Sequence, residues 1–303
     1  MSTKKDEKTA NSIKKVPCRK SSVSEAVEKI AEFSSVETPA GKKYYLENLI
    51  DFEDYYYYGL TDNGKIRFIL ESKDGTTKEL NCNPVFYCKI CTVFLFPNRQ
   101  TPFTKIHLTK ANYAVVSASE ISTLYLPYIQ FSEMKEYSLT TWLNDILKEL
   151  RSYRYSTIVF DLRHNPGGKF DQMLYQRFFN TNKEELEKYN IAIVTTGRTA
   201  SAACWFTNEL LTNFPHAKIF GEETAQAVYN NIGVMPQVLK KLNCYFCFPS
   251  YIGEGNFPKL IERSTDIYRG IMPDVEVFED IESYLKGEDA IYKAIYEYYN
   301  KKD

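Results

Sequence analysis

Beyond about residue 83, apolar runs of strand character alternate with stretches whose apolar residues recur at helical spacing. This alternation predicts a mixed α/β domain. The predicted strands are 85–96, 123–131, 156–162, 191–195, 217–220, 233–239 and 242–248. The predicted helices begin at Ser138 or cover 171–179, 200–214, 281–285 and 289–299. We therefore expect a core domain at 83–280, closed by C-terminal helices at 281–303.

The chain before this core has a different pattern. Residues 1–20 carry seven Lys and Arg but no apolar segment behind them, so 1–22 is predicted to be a disordered basic tail rather than a secretory signal. Residues 23–82 follow as a small N-terminal accessory domain. It should hold a short helix at 24–33 and a hairpin at 64–80, which Asp62-Asn63-Gly64 and Asp74-Gly75 mark as turns.

Composition and charge exclude several classes of function. The 38 Lys and Arg nearly balance 39 Asp and Glu, so no global positive field exists to hold a nucleic acid. No run approaches the ~18 apolar residues that a membrane-spanning helix needs. The compartment stays open, and the chain as written, without a predicted signal peptide, favours the cytoplasm. No membrane span and no nucleic-acid partner are expected.

Seven cysteines, an odd number, are too few and too scattered for a disulfide scaffold, which favours reduced thiols. Two C-x-x-C pairs, Cys88/Cys91 and Cys244/Cys247, raise the alternative of a zinc site. Both pairs lie in aromatic, strand-like runs, where a spacing of three puts the sulfurs on opposite faces. Core packing is therefore favoured over a metal, and no metal or organic cofactor is predicted.

Two segments of the core carry candidate chemistry. Strand 156–162 runs into Pro166-Gly167-Gly168, where adjacent glycines let backbone N–H groups point outward together and hold an oxyanion. Some thirty residues later, Ser201 stands between alanines at a strand-to-helix junction, where the helix N-terminus favours an anionic intermediate. An ordinary turn and an ordinary N-cap serine would explain the same two segments.

The order of these segments resembles the C-terminal-processing (tail-specific) serine peptidase family, which includes the interphotoreceptor retinoid-binding protein repeats. Residues 158–168 are similar to its "DLR-x-N-x-G-G" loop, and 197–203 to its "G-x-x-S-A" nucleophile turn. Residues 221–224 and 270–275 resemble its "G-E-x-T" and "G-I-x-P-D" turns. The resemblance covers roughly residues 120–280.

This resemblance implies the β-sheet spiral fold that the crotonase and Clp peptidase subunits share. Ser201 would be the nucleophile of a serine endopeptidase, and the backbone N–H groups of Ala202 and of Gly167 or Gly168 would form the oxyanion hole. The implied reaction is hydrolysis, through an acyl-enzyme, of peptides or of the C-terminal regions of proteins. The partner would be a peptide or unfolded protein that binds as an added strand.

The sequence departs from the family where the general base is expected. Gln226 stands at the position of the family lysine, and Cys204 at that of a glutamate three residues after the serine. Neither an amide nor a buried thiol accepts a serine proton at neutral pH. In another branch of the family an asparagine has a role that Asn230 or Asn231 is placed to keep.

Any activity would need another base. His164 is the first candidate, since its ordinary pKa of about 6.5 is suitable and its loop is expected to face Ser201. A surface imidazole is its simpler interpretation. The other candidates are Glu222, Glu223, Tyr229, Lys240 and Lys241. We predict weak or absent hydrolysis that depends first on Ser201 and then on His164. The alternative is an inactive homologue that binds peptides or apolar ligands.

Overall fold

The computed structural model describes residues 12–16, 21–22, 25, 28, 37–48, 61, 63–71, 74–83, 112–118, 121–228, 231–232, 235–239, 244–248, 251–252, 257–280, 283 and 286–300. The strand predicted at 85–96, most of the helices predicted at 24–33 and 281–285, and the residues Cys88, Cys91, Tyr229, Asn230, Lys240 and Lys241 lie outside these ranges.

The chain divides into two compact units. The first comprises Met1–Ser35 and Tyr44–Pro97, and the second comprises Val36–Lys43 and Asn98–Asp303. The domain boundaries at 22, 82 and 280 stay predictions. One difference concerns residues 36–43, which the sequence assigned to the accessory domain and which belong to the second unit.

The described part of the first unit contains one antiparallel sheet of order β2-β1-β3-β4. Its strands are β1 (Ser12–Val16), β2 (Ser21–Ser22), β3 (Ile66–Glu71) and β4 (Thr77–Cys82). β3 and β4 form the predicted hairpin, with Ile66 opposite Cys82 and Glu71 opposite Thr77. β1 pairs with the other edge of β3, so residues 12–16 are a strand where the sequence predicted a disordered tail. Basic composition gives no sign of a pairing partner more than fifty residues away.

A six-stranded sheet organises the second unit, in the order β14-β9-β8-β7-β6-β5. The strands of this unit are β5 (Val116–Ala118), β6 (Thr123–Pro127), β7 (Thr157–Asp161), β8 (Asn190–Thr195), β9 (Lys218–Gly221), β10 (Asn231–Ile232), β11 (Met235–Leu239), β12 (Cys244–Phe248), β13 (Tyr251–Ile252) and β14 (Val275–Glu276). β6 to β9 and β14 are parallel, and β5 is antiparallel to β6. β10 pairs with β13 and β11 with β12 in two small sheets. The fold is thus the predicted mixed α/β class.

Helices connect the parallel strands in sequence order. The main described helices are α1 (Pro39–Asn48), α2 (Leu139–Ser152), α3 (Gln172–Leu186), α4 (Ala202–Asn213), α5 (Pro258–Arg263) and α6 (Ala290–Asn300). α2 begins as predicted after Ser138, whose hydroxyl accepts a hydrogen bond from the Thr141 amide at 3.1 Å. α3 extends past its predicted end at 179 and kinks at Asn182, whose side chain donates to the Phe178 carbonyl at 2.8 Å. Within the described residues, no helix combines the length and apolar character that crossing a bilayer requires.

The two faces of the large sheet bury different groups. Ile158, Ile193 and Ile219 face an aromatic core contributed largely by α2, α3 and α4, whereas Val159 and Val194 face α6 on the other side. Because β7, β8 and β9 are parallel neighbours, their carboxyl ends lie at one edge of the sheet. Ligands of open α/β sheets bind at such an edge.

Candidate active site

Ser201 occupies a strained junction between β8 and α4. It is the N-cap residue of α4, with φ 53° and ψ −119°, a conformation that residues other than glycine rarely adopt. Ser201 is exposed, and its side chain makes no capping hydrogen bond. The interpretation as an ordinary N-cap serine therefore does not account for it. A serine on a strained strand-to-helix turn presents its hydroxyl outward, as nucleophiles of hydrolases do.

The loop after β7 packs directly against this serine. Gly167 has φ 101°, and a Cβ built there would lie 2.6 Å from Ser201 Cβ and 2.9 Å from the Ala202 nitrogen. Gly168 has φ 134°, and its Cβ would lie 2.1 Å from the Phe131 carbonyl oxygen. Both positions thus require glycine for two reasons: the positive φ is unfavourable for other residues, and a Cβ would clash with neighbouring atoms. The structure brings together the two segments that the sequence selected.

Three backbone N–H groups were candidates for the oxyanion hole. The Gly167 N–H donates to Asn165 Oδ1 at 2.8 Å, which occupies it within the loop. Among the described residues, the N–H groups of Gly168 and Ala202 have no acceptor. Ala202 is the first residue of α4, where the helix dipole favours negative charge. Of the two alternatives, Gly168 is therefore the better placed to join Ala202.

Sequence reasoning gave no role to Asn165, which organises this loop. Its side chain is fully buried, and Nδ2 donates to the Tyr128 carbonyl at 2.7 Å. Its own carbonyl accepts a hydrogen bond from the Ala200 amide at 3.1 Å. Asn165 thus ties β6, the glycine loop and the Ser201 junction together. The available signal was its place between Arg163 and Gly167 in the "DLR-x-N-x-G-G" pattern.

The turn after β9 brings Gln226 to the same serine. The Ser201 amide donates to Gln226 Oε1 at 2.5 Å. A second contact holds the turn to the junction, because the Ala225 amide donates to the Thr199 carbonyl at 2.9 Å. The residue that stands in place of the family lysine thus lies beside Ser201. Its amide oxygen accepts a hydrogen bond from the Ser201 N–H, and it cannot take the hydroxyl proton as a general base.

Glu223, a candidate base, is held in an ion pair. Its carboxylate accepts two hydrogen bonds from Arg269, each 2.7 Å, and one from the Gly270 amide at 2.8 Å. Burial raises the pKa of the Glu223 carboxyl, but these hydrogen bonds outweigh burial and hold the pKa below its ordinary value. Glu223 is therefore a poor base at neutral pH. The backbone of Glu222 is tied to Thr195: its amide donates to the Thr195 carbonyl at 2.9 Å, and its carbonyl accepts from the Thr195 hydroxyl at 2.8 Å.

Cys204 lies one turn into α4 and is buried. Burial raises the pKa of its thiol to about 12, although a hydrogen bond with Thr224 opposes the shift. The thiol is therefore protonated at neutral pH and does not replace the family glutamate as a charged group.

Residues 125–184 match the model of peptidase family S41. This segment of the chain is therefore similar to that family. The matched segment runs from β6 through Gly167 and Gly168 into α3, so it covers the glycine loop after β7. It ends before Ser201 and Gln226, whose assignment depends on the geometry above.

The fold is similar to that of a solved peptidase. Mature CPAF matches with a TM-score of 0.52 and 11% identity, covering 98% of this chain and 77% of that chain. Mature CPAF complexed with lactacystin matches with a TM-score of 0.50 and 11% identity, covering 92% and 75%. A lipoprotein from Streptococcus agalactiae gives 0.36 and 12%, covering 87% and 93%. No curated protein is significantly similar in sequence. The likeness to CPAF supports the S41 fold.

The structure describes only some of the remaining base candidates. His164 is half-buried at φ 65° in the glycine loop, and its backbone amide donates to Thr196 Oγ1 at 3.4 Å. Its role as base stays a prediction. Asn230, Tyr229, Lys240 and Lys241 lie outside the described residues, as do Cys88 and Cys91. In the part of the chain that the structure describes, no cluster of three His, Cys, Asp or Glu could hold a metal.

A buried ion network anchors the start of the same loop on the face away from α4. Arg163 lies 2.7 Å from Asp161 Oδ2, 2.9 Å from Asp289 Oδ2 and 3.1 Å from Glu279 Oε1. The Tyr125 hydroxyl donates to Asp161. Because Asp289 immediately precedes α6, this network ties the C-terminal helix to the loop that carries Gly167.

Proposed function

We propose that this chain is a serine endopeptidase that hydrolyses peptides or the C-terminal regions of proteins through an acyl-enzyme at Ser201. The observation that carries the proposal is the strained, exposed Ser201 that does not cap its helix and that packs against Gly167. The similarity of residues 125–184 to a serine peptidase family supports the same chemistry.

The arrangement suits acyl transfer. Ser201 Oγ would attack the substrate carbonyl carbon while a base takes the hydroxyl proton, and the carbonyl oxygen would become an oxyanion. The N–H groups of Ala202 and Gly168 would bind that oxyanion, and each such donor is worth about 100- to 1000-fold in rate. The amine would leave with a proton, and water would then hydrolyse the ester. All of these groups belong to the protein, so the proposed reaction uses no cofactor.

The proposed mechanism lacks a strong general base for the Ser201 hydroxyl. Gln226 cannot accept a proton, and Glu223 is committed to Arg269. His164 is the proposed base. We expect slow hydrolysis for this reason, since general-base catalysis contributes about 100- to 10,000-fold.

The contact between Gln226 and the Ser201 amide favours a second candidate function. If Gln226 leaves Ser201 without a base, the chain is an inactive homologue that binds peptides or apolar ligands. Binding of a peptide as an added strand requires only backbone hydrogen bonds and side-chain pockets, not an activated hydroxyl.

A fluorophosphonate probe separates the two functions, because only an activated serine reacts quickly with it. We expect labelling of the purified protein at Ser201, located by peptide mass spectrometry, and no labelling of Ser201→Ala. His164→Ala should slow labelling without abolishing it. Labelling absent from the wild-type protein would favour the inactive homologue, and robust peptide hydrolysis by Ser201→Ala would exclude the serine mechanism.

A further inference from the structure

Residues 37–41, here called the strap, pack against the turn that carries Gln226. The strap lies within Val36–Lys43, which belongs to the second unit. The chain before it, to Ser35, and the chain after it, from Tyr44, belong to the first unit. Residues 223–227 are called the Gln226 turn. The two segments are far apart in sequence, and 186 positions separate Thr38 from Thr224.

Four strap residues contact the Gln226 turn. The buried Thr38 hydroxyl donates to the Thr224 carbonyl at 2.7 Å, and Glu37 Oε2 accepts from the Ala227 amide at 3.0 Å. The Ala40 amide hydrogen-bonds the Glu223 carboxylate, and Gly41 lies against Ala225.

Gly41 shows how close this approach is. A Cβ at position 41 would lie 2.8 Å from Ala225 Cα and 3.0 Å from the Ala225 carbonyl oxygen, so backbone would have to move. The need for glycine here is steric, because residue 41 lies inside α1, where alanine is preferred over glycine by about 1 kcal/mol. Thr38 completes the junction by accepting from the Gly41 amide at 3.1 Å.

The turn held in this way makes the contact with the nucleophile. Ala225 donates to the carbonyl of Thr199, two residues before Ser201, and Gln226 accepts from the Ser201 amide. A displacement of the turn therefore changes the environment of Ser201 directly. Misplacement by about 1 Å at an active site costs about 100-fold in rate.

We infer that the strap is a positioning element of the Ser201 site, with Thr38 and Gly41 as positioning residues that hold Gln226 against Ser201. The inference rests on the proposed function for its effect on reactivity, and on the geometry alone for its effect on the Ser201 amide. It places residues from the predicted accessory domain at the active site.

The test compares two disruptive variants with two matched controls. Thr38→Val removes the hydroxyl at constant shape, and Gly41→Ala inserts the clashing Cβ while favouring the helix. Thr38→Ser keeps the hydroxyl, and Lys42→Ala changes an exposed residue of the same helix. The readouts are the rate of fluorophosphonate labelling at 25 °C and the Ser201 amide resonance of protein labelled with ¹⁵N-serine, assigned by its loss in Ser201→Ala.

We expect Thr38→Val and Gly41→Ala to shift the Ser201 amide resonance and to slow labelling at least about tenfold. Thr38→Ser and Lys42→Ala should behave as wild type. An unmoved resonance in both disruptive variants overturns the inference, and so does a shifted resonance with an unchanged labelling rate. If the wild-type protein is not labelled, the proposed function fails, and the resonance alone decides whether the strap sets the site. If one disruptive variant does not fold, the other decides.

Discussion

The two segments that flank Ser201 are built by different means. The backbone of the glycine loop after β7 packs directly against the Ser201 junction and Phe131. A side chain at Gly167 or Gly168 would clash with these neighbours. The Gln226 turn after β9 approaches through side chains, since Gln226, Glu223 and Thr224 each make hydrogen bonds that fix it. The first segment leaves the Gly168 N–H without an acceptor among the described residues. The second offers an amide oxygen where the proposed reaction needs a base.

This difference shows which part of a serine site tolerates change. A backbone oxyanion site depends on conformation that only glycine supplies, so substitution there removes the approach itself. A side-chain site can lose its chemistry and keep its packing, as Gln226 does beside Ser201. The chain therefore keeps the groups proposed to stabilise an oxyanion more completely than any group proposed to take the proton.

The largest effect is expected in the glycine loop. Gly167→Ala should slow fluorophosphonate labelling by at least about 100-fold, because the new Cβ would displace Ser201 and Ala202 from their positions. Gly75→Ala is the matched control, since Gly75 also has positive φ but nothing lies within 4 Å of its Cβ position. Unimpaired labelling of Gly167→Ala would contradict the proposed oxyanion site.

A smaller effect is expected for Asn165, the side chain that joins the glycine loop to the end of β6. Asn165→Ala leaves the Gly167 amide and the Tyr128 carbonyl without their partner, at a cost of about 1–3 kcal/mol per buried group. Denaturant unfolding measures this loss, and labelling should slow about tenfold because the loop relaxes. Asn165→Asp keeps the acceptor for Gly167 and loses only the donor to Tyr128. Equal stability of wild type and Asn165→Ala would show that backbone contacts alone hold the loop.

Much of the fold was predictable because it is encoded locally. The strands and helices of 123–220 follow from apolar periodicity, and the Gly167–Ser201 juxtaposition follows from parallel strands that end at one edge. The extension of α3 past 179 escaped prediction because Asn182 and its polar neighbours lack a helical apolar pattern.

The side-chain half of the site could not be predicted in the same way. The contact of Gln226 with Ser201 and the contact of Thr38 with Thr224 each join residues with no shared periodicity. Polar side chains that meet across such distances are specified by the completed fold rather than by a sequence pattern. The sequence therefore showed that a glutamine replaces the family lysine at position 226. It did not show that Gln226 contacts the Ser201 amide or that Thr38 holds the turn.

A pH-dependent effect is expected at Glu223. Its pKa is held below 4.5 in the folded protein, so the ion pair with Arg269 stabilises the fold above that pH and is lost as pH falls through the lowered value. Glu223→Gln should cost about 1 kcal/mol at pH 7, since Arg269 is half-exposed, and the difference should vanish at low pH. Unfolding of both proteins at several pH values measures it. Labelling should change little, whereas its loss in Glu223→Gln or Glu222→Gln would place the base in this turn.

The smallest effect at neutral pH is expected from restoring the family lysine. Gln226 is half-buried, so solvent should keep the pKa of a lysine at this position near its ordinary value of about 10.4, and only about one in a thousand molecules would hold a neutral amine at pH 7.5. Gln226→Lys and Gln226→Met both lose the acceptor for the Ser201 amide, so the effect of the lysine itself is the difference between these two variants. That difference should be less than about tenfold at pH 7.5, and the labelling rate of Gln226→Lys should rise with pH towards 10. Gln226→Met, of similar length but without a base, should show no such rise. A large gain at pH 7.5 would mean that the turn already lowers an amine's pKa, and the side-chain half of the site would then lack only its proton acceptor.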